Sequence, residues 1–198
     1  MTKKVSSAAL VDLFDRCFFE AGQTFENTRV VTGASEPFFV PANQETEFSN
    51  GVVISAAPYA RIFSRLDYPA SVLHEVAHWC VAGPARRNLL DYGYWYEPDG
   101  RSPEQQEQFE SVEVKPQALE RIMTNAAGML FRLSTDNAKD PLCKPSEGFK
   151  SAVHSQTLEY LNKGLPARAE VFIRALDAYF LPEQSALNLS SYVLGDLL

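Results

Sequence analysis

Residues 67–84 read Asp-Tyr-Pro-Ala-Ser-Val-Leu-His-Glu-Val-Ala-His-Trp-Cys-Val-Ala-Gly-Pro and contain the pattern His-Glu-x-x-His, with His74, Glu75 and His78 at its fixed positions. On a helix, residues four apart lie about 40° apart around the axis and about 6 Å apart along it. Both imidazoles can therefore reach one divalent ion, with the Glu75 carboxylate beside them. The pattern predicts a metal site. The alternative is that two partly buried histidines only hydrogen-bond to their neighbours.

The residues on either side of the pattern predict that it lies on a helix. Asp67 can cap the N-terminus, Pro69 suits the first turn, and Gly83-Pro84 is a stop signal. An apolar side that would bury this helix is formed by Leu73, Val76, Ala77 and Val81. The helical context makes the metal reading of the motif the favoured one.

The composition bounds the class of protein. With 198 residues and 45% hydrophobic content, the chain can bury one core, and a single domain over residues 1–198 is the simplest expectation. A net charge of −7 argues against nucleic-acid binding through a basic face. Three widely spaced cysteines imply no disulfide framework. We find no secretory signal and no apolar stretch of about 20 residues, so no membrane partner and a cytoplasmic location are expected.

Hydrophobic periodicity and turn signals predict the remaining elements. They are a helix over 5–21, strands over 28–32, 37–40 and 51–55, a short helix over 57–66, and helices over 114–133, 148–162 and 167–180. This order predicts an α+β fold in which a small sheet is flanked by several helices and the motif helix packs on the sheet.

Two histidines alone hold an ion poorly, so a third protein ligand is expected. His154 is the remaining histidine, but a lone histidine on an amphipathic helix is more often a surface or core residue than a ligand. A carboxylate from a second helix is the preferred candidate, because two histidines and one carboxylate leave positions open for other molecules.

The segment after residue 108 is the best source of that carboxylate. Pro116 is tolerated in the first turn of a helix, which places Glu113 at a helix start. Glu113, Gln117 and Glu120 then share one face. Glu113 is the first choice, followed by Glu110 and Glu120. The alternative is that these glutamates are solvated surface residues.

Four blocks of the chain make it resemble a known family. They are His74-Glu-Val-Ala-His-Trp-Cys-Val-Ala-Gly, Ala85-Arg-Arg, Asp91-Tyr-Gly-Tyr-Trp-Tyr-Glu-Pro-Asp-Gly-Arg, and Phe109-Glu-Ser-Val-Glu-Val-Lys-Pro-Gln-Ala-Leu. Together they resemble the elongation factor P hydroxylase family of gamma-proteobacteria, densely over residues 70–130 and more loosely to residue 180. The resemblance implies hydroxylation of the lysine of translation elongation factor P that already carries a β-lysyl group. It also implies a fold similar to that of YbeY-type metal-dependent endoribonucleases.

The same resemblance implies the site chemistry. His74 and His78 match the histidine ligands of a non-haem iron site, and the block around Glu113 is where the carboxylate is sought. Fe(II) is the expected ion, zinc or another divalent ion is possible in purified protein, and dioxygen is the expected co-substrate. Glu75 would orient a ligand or handle a proton, whereas in a metallopeptidase it would activate water.

The aromatic and acidic loop after residue 90 is expected to line the substrate-binding site. Four aromatic residues can pack the aliphatic stem of a long lysine derivative, namely Tyr92, Tyr94, Trp95 and Tyr96. Three acids can pair with its ammonium groups, namely Asp91, Glu97 and Asp99. The alternative is that the aromatic residues pack the core and the acids sit in turns.

Three other functions fit parts of the pattern. A zinc-dependent hydrolase, peptidase-like, is the first, since His-Glu-x-x-His is typical of that class. A metal-dependent endoribonuclease is the second, although the acidic balance weakens it. A binding module with a structural metal is the third, but no cysteine has suitable spacing to the two histidines.

Overall fold

A computed structural model describes residues 3–19, 25, 27–47, 51–93, 100–135 and 144–197 of the chain. The α-helices within these residues are α1 (Ser7–Phe18), α2 (Pro69–Val81), α3 (Pro103–Ala126), α4 (Glu147–Lys163) and α5 (Ala167–Phe180). Short 3-10 helices cover Arg86–Asn88, Leu90–Gly93, Leu189–Ser191 and Leu194–Asp196. The strands are β1 (Thr28–Ala34), β2 (Phe38–Val40), β3 (Thr46–Glu47), β4 (Val53–Ile54) and β5 (Ala60–Arg65). The prediction of an α+β fold with a small sheet flanked by helices is confirmed.

The main sheet has three strands in the order β1-β5-β2. Strand β5 is central, parallel to β1 and antiparallel to β2, and Ile62 pairs with Val30 on one side and with Phe39 on the other. Strands β3 and β4 form a separate antiparallel pair.

The prediction of a helix over 57–66 is wrong, because this segment contains the central strand β5. Four of its six residues, Ala60 and Ile62–Ser64, are buried, so the alternation that identifies a half-buried strand is missing. A short apolar run of this kind does not distinguish strand from helix by itself. Pairing with β1 and β2 decides the outcome.

Helix α2 packs against β5, α1, α3 and α5, as predicted for the motif helix on the sheet. Its apolar side chains Leu73, Val76 and Ala77 are completely buried. On another face, Trp79 packs edge-on against Phe14 of α1 and Phe18, with ring centroids 5.3 and 4.8 Å away. Because α2 is held on several sides, the directions of its histidines are set by the core.

The start of α2 differs from the prediction in one detail. Pro69 occupies the first turn as expected, but the N-cap residue is Tyr68 and no side chain caps the helix. Asp67 lies one position too early to act as the cap. The Ser71 hydroxyl instead accepts a hydrogen bond from the Arg65 amide at 2.9 Å, which ties α2 to the end of β5.

Helix α3 begins eleven residues before the predicted start, so the placement of Glu113 and Pro116 in a first turn is wrong. A capping box between Ser102 and Gln105 starts the helix, and Pro116 lies inside it and is buried. A proline removes one hydrogen bond of the helical ladder. Packing of α3 against α2, α4 and α5 stabilises the helix across this position.

None of the helices in the described ranges is long and apolar enough to cross a membrane.

Candidate metal centre

Helices α2 and α3 bring three potential ligands together: His74, His78 and Glu113. The two Nε2 atoms of the histidines lie 3.1 Å apart. Glu113 Oε1 lies 3.2 Å from His78 Nε2, and Glu113 Oε2 lies 3.6 Å from His74 Nε2. Over the part of the chain that the structure describes, no other group of three or more histidine, cysteine or acidic side chains comes together in this way.

These distances fit a divalent ion between the three side chains. An ion about 2.1 Å from two ligand atoms separates them by about 3.0 to 3.4 Å at angles between octahedral and tetrahedral. The spacings of 3.1 Å between the two Nε2 atoms and 3.2 Å between His78 Nε2 and Glu113 Oε1 lie within this range. The second oxygen, Glu113 Oε2, lies just outside it, at 3.6 Å from His74 Nε2. Two imidazoles with one carboxylate suit Fe(II) and also zinc. The donor set therefore fits the expected metal.

The other predicted third ligands lie elsewhere. Both carboxylate oxygens of Glu110 accept hydrogen bonds from Ser146, the N-cap of α4, at 3.2 Å from its amide and 2.6 Å from its hydroxyl. His154 contacts Arg121 through Nδ1 at 3.1 Å. Glu120 reaches His74, but at Nδ1 and not at the Nε2 atom that faces the cluster, with a distance of 2.8 Å.

The neighbours of Glu113 favour its ionised form. Its side chain is 2% exposed. Burial raises the pKa of Glu113, but the neighbouring rings of His78 and His74 and the Gln117 amide outweigh burial and lower the pKa to about 2. A carboxylate that stays ionised is ready to bind a cation.

The histidines respond to the same charges. Burial alone lowers the pKa of His74, but the carboxylates of Glu120 and Glu113 raise it well above the ordinary histidine value. Burial also lowers the pKa of His78, and Glu113 reverses the direction. The His74 side chain is 24% exposed and that of His78 is 11% exposed, so the cluster is open to solvent mainly on the His74 side.

Glu75 is buried beside the cluster without belonging to it. Burial raises the pKa of Glu75 to about 7, although His74 and His78 act in the opposite direction. A carboxyl group with such a pKa can accept or release a proton near neutral pH.

Asp91 belongs to a short turn, Leu90–Gly93, in an unusual conformation. Asp91, Tyr92 and Gly93 have φ values of 48°, 57° and 70° in succession, and two of them are not glycine. Strain of this kind persists only where the surroundings enforce it. Here the Tyr92 ring stacks on the Phe39 ring at 4.4 Å, and the Asp91 carboxylate accepts a hydrogen bond from the Phe39 amide.

The turn brings Asp91 into the electrostatic environment of the candidate site. Burial raises the pKa of Asp91, and the nearby His78 lowers it in part. The prediction that Tyr92 contacts the substrate is wrong, because its side chain is buried in the core. The other predicted substrate-binding residues, Tyr94, Trp95, Tyr96, Glu97 and Asp99, lie outside the described residues. Their role in substrate binding stays a prediction.

Two residues support the site through contacts that the sequence did not predict. Gln117 was placed on the face of Glu113 by periodicity, and its amide does donate a hydrogen bond to Glu113 Oε2 at 3.2 Å. Arg168 of α5 donates to the carbonyl oxygens of Trp79, Cys80 and Ala82 at the end of α2, at 3.0, 3.2 and 2.7 Å. No local signal identifies Arg168, because its partners are more than 80 positions away.

Comparisons with known proteins agree on one family. The family model described as elongation factor P hydroxylase matches residues 13–191. The chain is 45% identical over 184 residues to the elongation factor P lysine hydroxylase of Haemophilus influenzae, covering 92% of this chain and 93% of that protein.

Proposed function

The chain belongs to the elongation factor P hydroxylase family, and from that premise we propose that it hydroxylates a lysine side chain of translation elongation factor P. We further propose that the lysine already carries a β-lysyl group, and that one metal-dependent domain spanning the chain does the work. The observation that carries the proposal is the His74–His78–Glu113 cluster. A likeness of the fold to YbeY-type metalloproteins stays a prediction.

His74, His78 and Glu113 would hold the metal, which we propose to be Fe(II), with zinc or another divalent ion possible in purified protein. When bound, Fe(II) would supply the reaction with dioxygen that side chains cannot perform. We propose a monooxygenation, in which one oxygen atom enters the lysine side chain and the other leaves as water with two protons and with two electrons from an external reductant. Three protein ligands on one side leave room for substrates on the other. Glu113, ionised and buried, would neutralise part of the charge of the ion.

The chain's own residues have three further tasks. The exposed side of His74 is the direction from which a protein-bound lysine can approach. Glu75, with its pKa of about 7, is the group we assign to proton transfer at the site. Asp91 is the acid that we assign to pairing with the ammonium groups of the substrate. We assign the aromatic side chains of Tyr94, Trp95 and Tyr96 to packing against its aliphatic stem.

A zinc-dependent hydrolase is the second candidate, and the position of Glu75 favours it. A carboxylate directly after the first histidine of the motif is placed to activate a water molecule on zinc. Nothing in this reading requires dioxygen, which is how an experiment separates it from the first.

The deciding experiment is intact-mass analysis of β-lysylated elongation factor P after incubation with the protein, Fe(II), dioxygen and a chemical reductant such as ascorbate. We expect a gain of one oxygen atom that needs dioxygen and disappears with His74→Ala. His154→Ala is the matched control, since His154 lies outside the cluster, and it should leave the gain intact. No gain by a protein with confirmed iron content would refute the proposal and make zinc-dependent hydrolysis the next activity to assay.

A further inference from the structure

Two polar side chains of α3, Gln117 and Glu120, contact the candidate ligands from outside the cluster. They follow Glu113 by four and seven positions, so all three lie on one face of the helix. Gln117 is completely buried and Glu120 is 7% exposed. Burial of polar groups is costly unless each forms hydrogen bonds, so the partners of these two residues indicate why they are there.

Glu120 decides the state of the His74 ring. Its Oε2 atom lies 2.8 Å from His74 Nδ1. An ionised carboxylate can only accept, so Nδ1 must carry the hydrogen. In the neutral imidazole, Nε2 then has the free lone pair, and Nε2 is the atom that faces His78 and Glu113.

Gln117 decides how Glu113 is presented. Its Nε2 group donates to Glu113 Oε2 at 3.2 Å and to the Ser134 carbonyl at 2.9 Å, and its Oε1 accepts from the Ser134 amide at 3.0 Å. Rotating the Gln117 amide by half a turn would place its oxygen against two other acceptors, Glu113 Oε2 and the Ser134 carbonyl oxygen. The orientation is therefore set, and Glu113 Oε1, the oxygen that Gln117 does not contact, lies 3.2 Å from His78 Nε2.

We propose that Glu120 and Gln117 are positioning residues of the metal centre. Glu120 directs His74 to bind through Nε2, and Gln117 directs Glu113 to bind through Oε1 alone. Helix α3 thus provides one ligand and the supports of two, through the spacing Glu-x-x-x-Gln-x-x-Glu. The inference rests on the proposed metal site, but it is independent of which reaction that site catalyses.

Metal affinity tests this inference without any activity assay. Co(II) is the probe, because its visible absorption reports the number and type of its ligands, and competition with a chelator measures its dissociation constant. The variants are Glu120→Leu, Glu120→Gln, Gln117→Leu and Gln117→Glu, with Glu113→Gln as the reference for loss of a ligand. Glu110→Gln is the matched control, because Glu110 is also a buried carboxylate of α3 but contacts Ser146.

Loss of an outer partner of a metal ligand commonly weakens binding about 10- to 100-fold. We expect losses of that size for Glu120→Leu and Gln117→Leu, a smaller loss for Glu120→Gln, whose amide oxygen still accepts from Nδ1, and no loss for Glu110→Gln. Gln117→Glu keeps an acceptor for Ser134 but loses the donor to Glu113, so it should also weaken Co(II) binding. It replaces Gln117→Leu as the test if Gln117→Leu does not fold. Circular dichroism of the metal-free variants establishes which are folded.

The outcomes separate the two proposals. If the unmodified protein does not bind Co(II), the metal site itself is refuted. If it binds Co(II) and the folded Glu120 and Gln117 variants bind equally well, the metal site stands and their positioning role is refuted. If Glu120→Gln abolishes binding as fully as Glu113→Gln and changes the absorption of residual Co(II), Glu120 is a ligand and the inference is overturned.

Discussion

Replacing Arg168 by leucine should destabilise the protein, because it removes contacts that hold the end of α2 against α5. The Arg168 guanidinium closes the C-terminal end of α2, where its Nη2 group reaches three backbone carbonyl oxygens. Its central carbon also lies 4.5 Å from the centroid of the buried Trp79 ring. A positive charge at this end of a helix is favourable as well, because the carbonyl groups there carry partial negative charge.

The magnitude follows from these contacts. A hydrogen bond to a charged group contributes about 1.5 to 3 kcal/mol, and a partly buried cation over an aromatic ring about 1 to 2 kcal/mol. These contributions overlap, since one nitrogen serves three carbonyls, and leucine recovers some packing on Trp79. We expect Arg168→Leu to lower the free energy of unfolding by about 2 to 4 kcal/mol, which for a chain of this size is a drop of about 5 to 15 °C in Tm.

Urea unfolding followed by tryptophan fluorescence measures the loss, and a thermal melt measures the shift. Arg168→Lys should be intermediate, because an ammonium lacks the planar fork that spans several acceptors. Arg174→Leu is the matched control on the same helix. Its ion pair with Glu170 is exposed, so the change should cost no more than about 0.5 kcal/mol. Equal effects of Arg168→Leu and Arg174→Leu would refute the assigned role of Arg168.

Three further predictions follow from buried groups and from a helix cap. Burial raises the pKa of Cys80 to about 12, so at pH 8 only about one Cys80 thiol in ten thousand is ionised. Because the side chain is also buried, iodoacetamide should label Cys80 after denaturation but not in the native protein. Equal labelling rates in the two states would contradict this prediction. The Tyr92 hydroxyl is buried with no hydrogen-bond partner among the described residues. Tyr92→Phe should therefore leave the free energy of unfolding unchanged or raise it by up to about 1 kcal/mol. A clear decrease of this free energy in urea unfolding would show that the hydroxyl has a partner. Ser102→Ala removes the N-cap of α3 and should lower the free energy of unfolding by about 1 kcal/mol in the same assay. Ser111→Ala, on the exposed side of α3, should lower it much less. Equal decreases for the two variants would argue against the capping role of Ser102.

Prediction from the sequence succeeded where a local pattern is sufficient. The helix that carries His74 and His78 was predicted, because its apolar side and its start and stop signals are local. A spacing of four residues then places both rings on one face of the helix. Helices α4 and α5 were predicted within a residue or so, as capping and stop signals lie next to them. The family was also predicted from four short blocks, and the comparisons confirm it.

Prediction failed where distant residues decide the local structure. Strand β5 was predicted as a helix, because burial on both faces hid its alternation. The start of α3 was predicted too late, because Pro116 was read as a first-turn residue, whereas packing against three helices keeps the chain helical on both sides of it. In each case the deciding contacts come from other elements.

The same division applies to the candidate site. By itself the sequence determined that two imidazoles and a carboxylate, Glu75, share a turn of helix α2, because that follows from helical geometry alone. Only the tertiary structure decided which glutamate of α3 stands opposite them. Glu113 faces both Nε2 atoms, while Glu120, 46 positions from His74, reaches the other ring nitrogen. The physical reason is that ligand geometry is a matter of a few tenths of an ångström between helices, and packing of the core sets that distance.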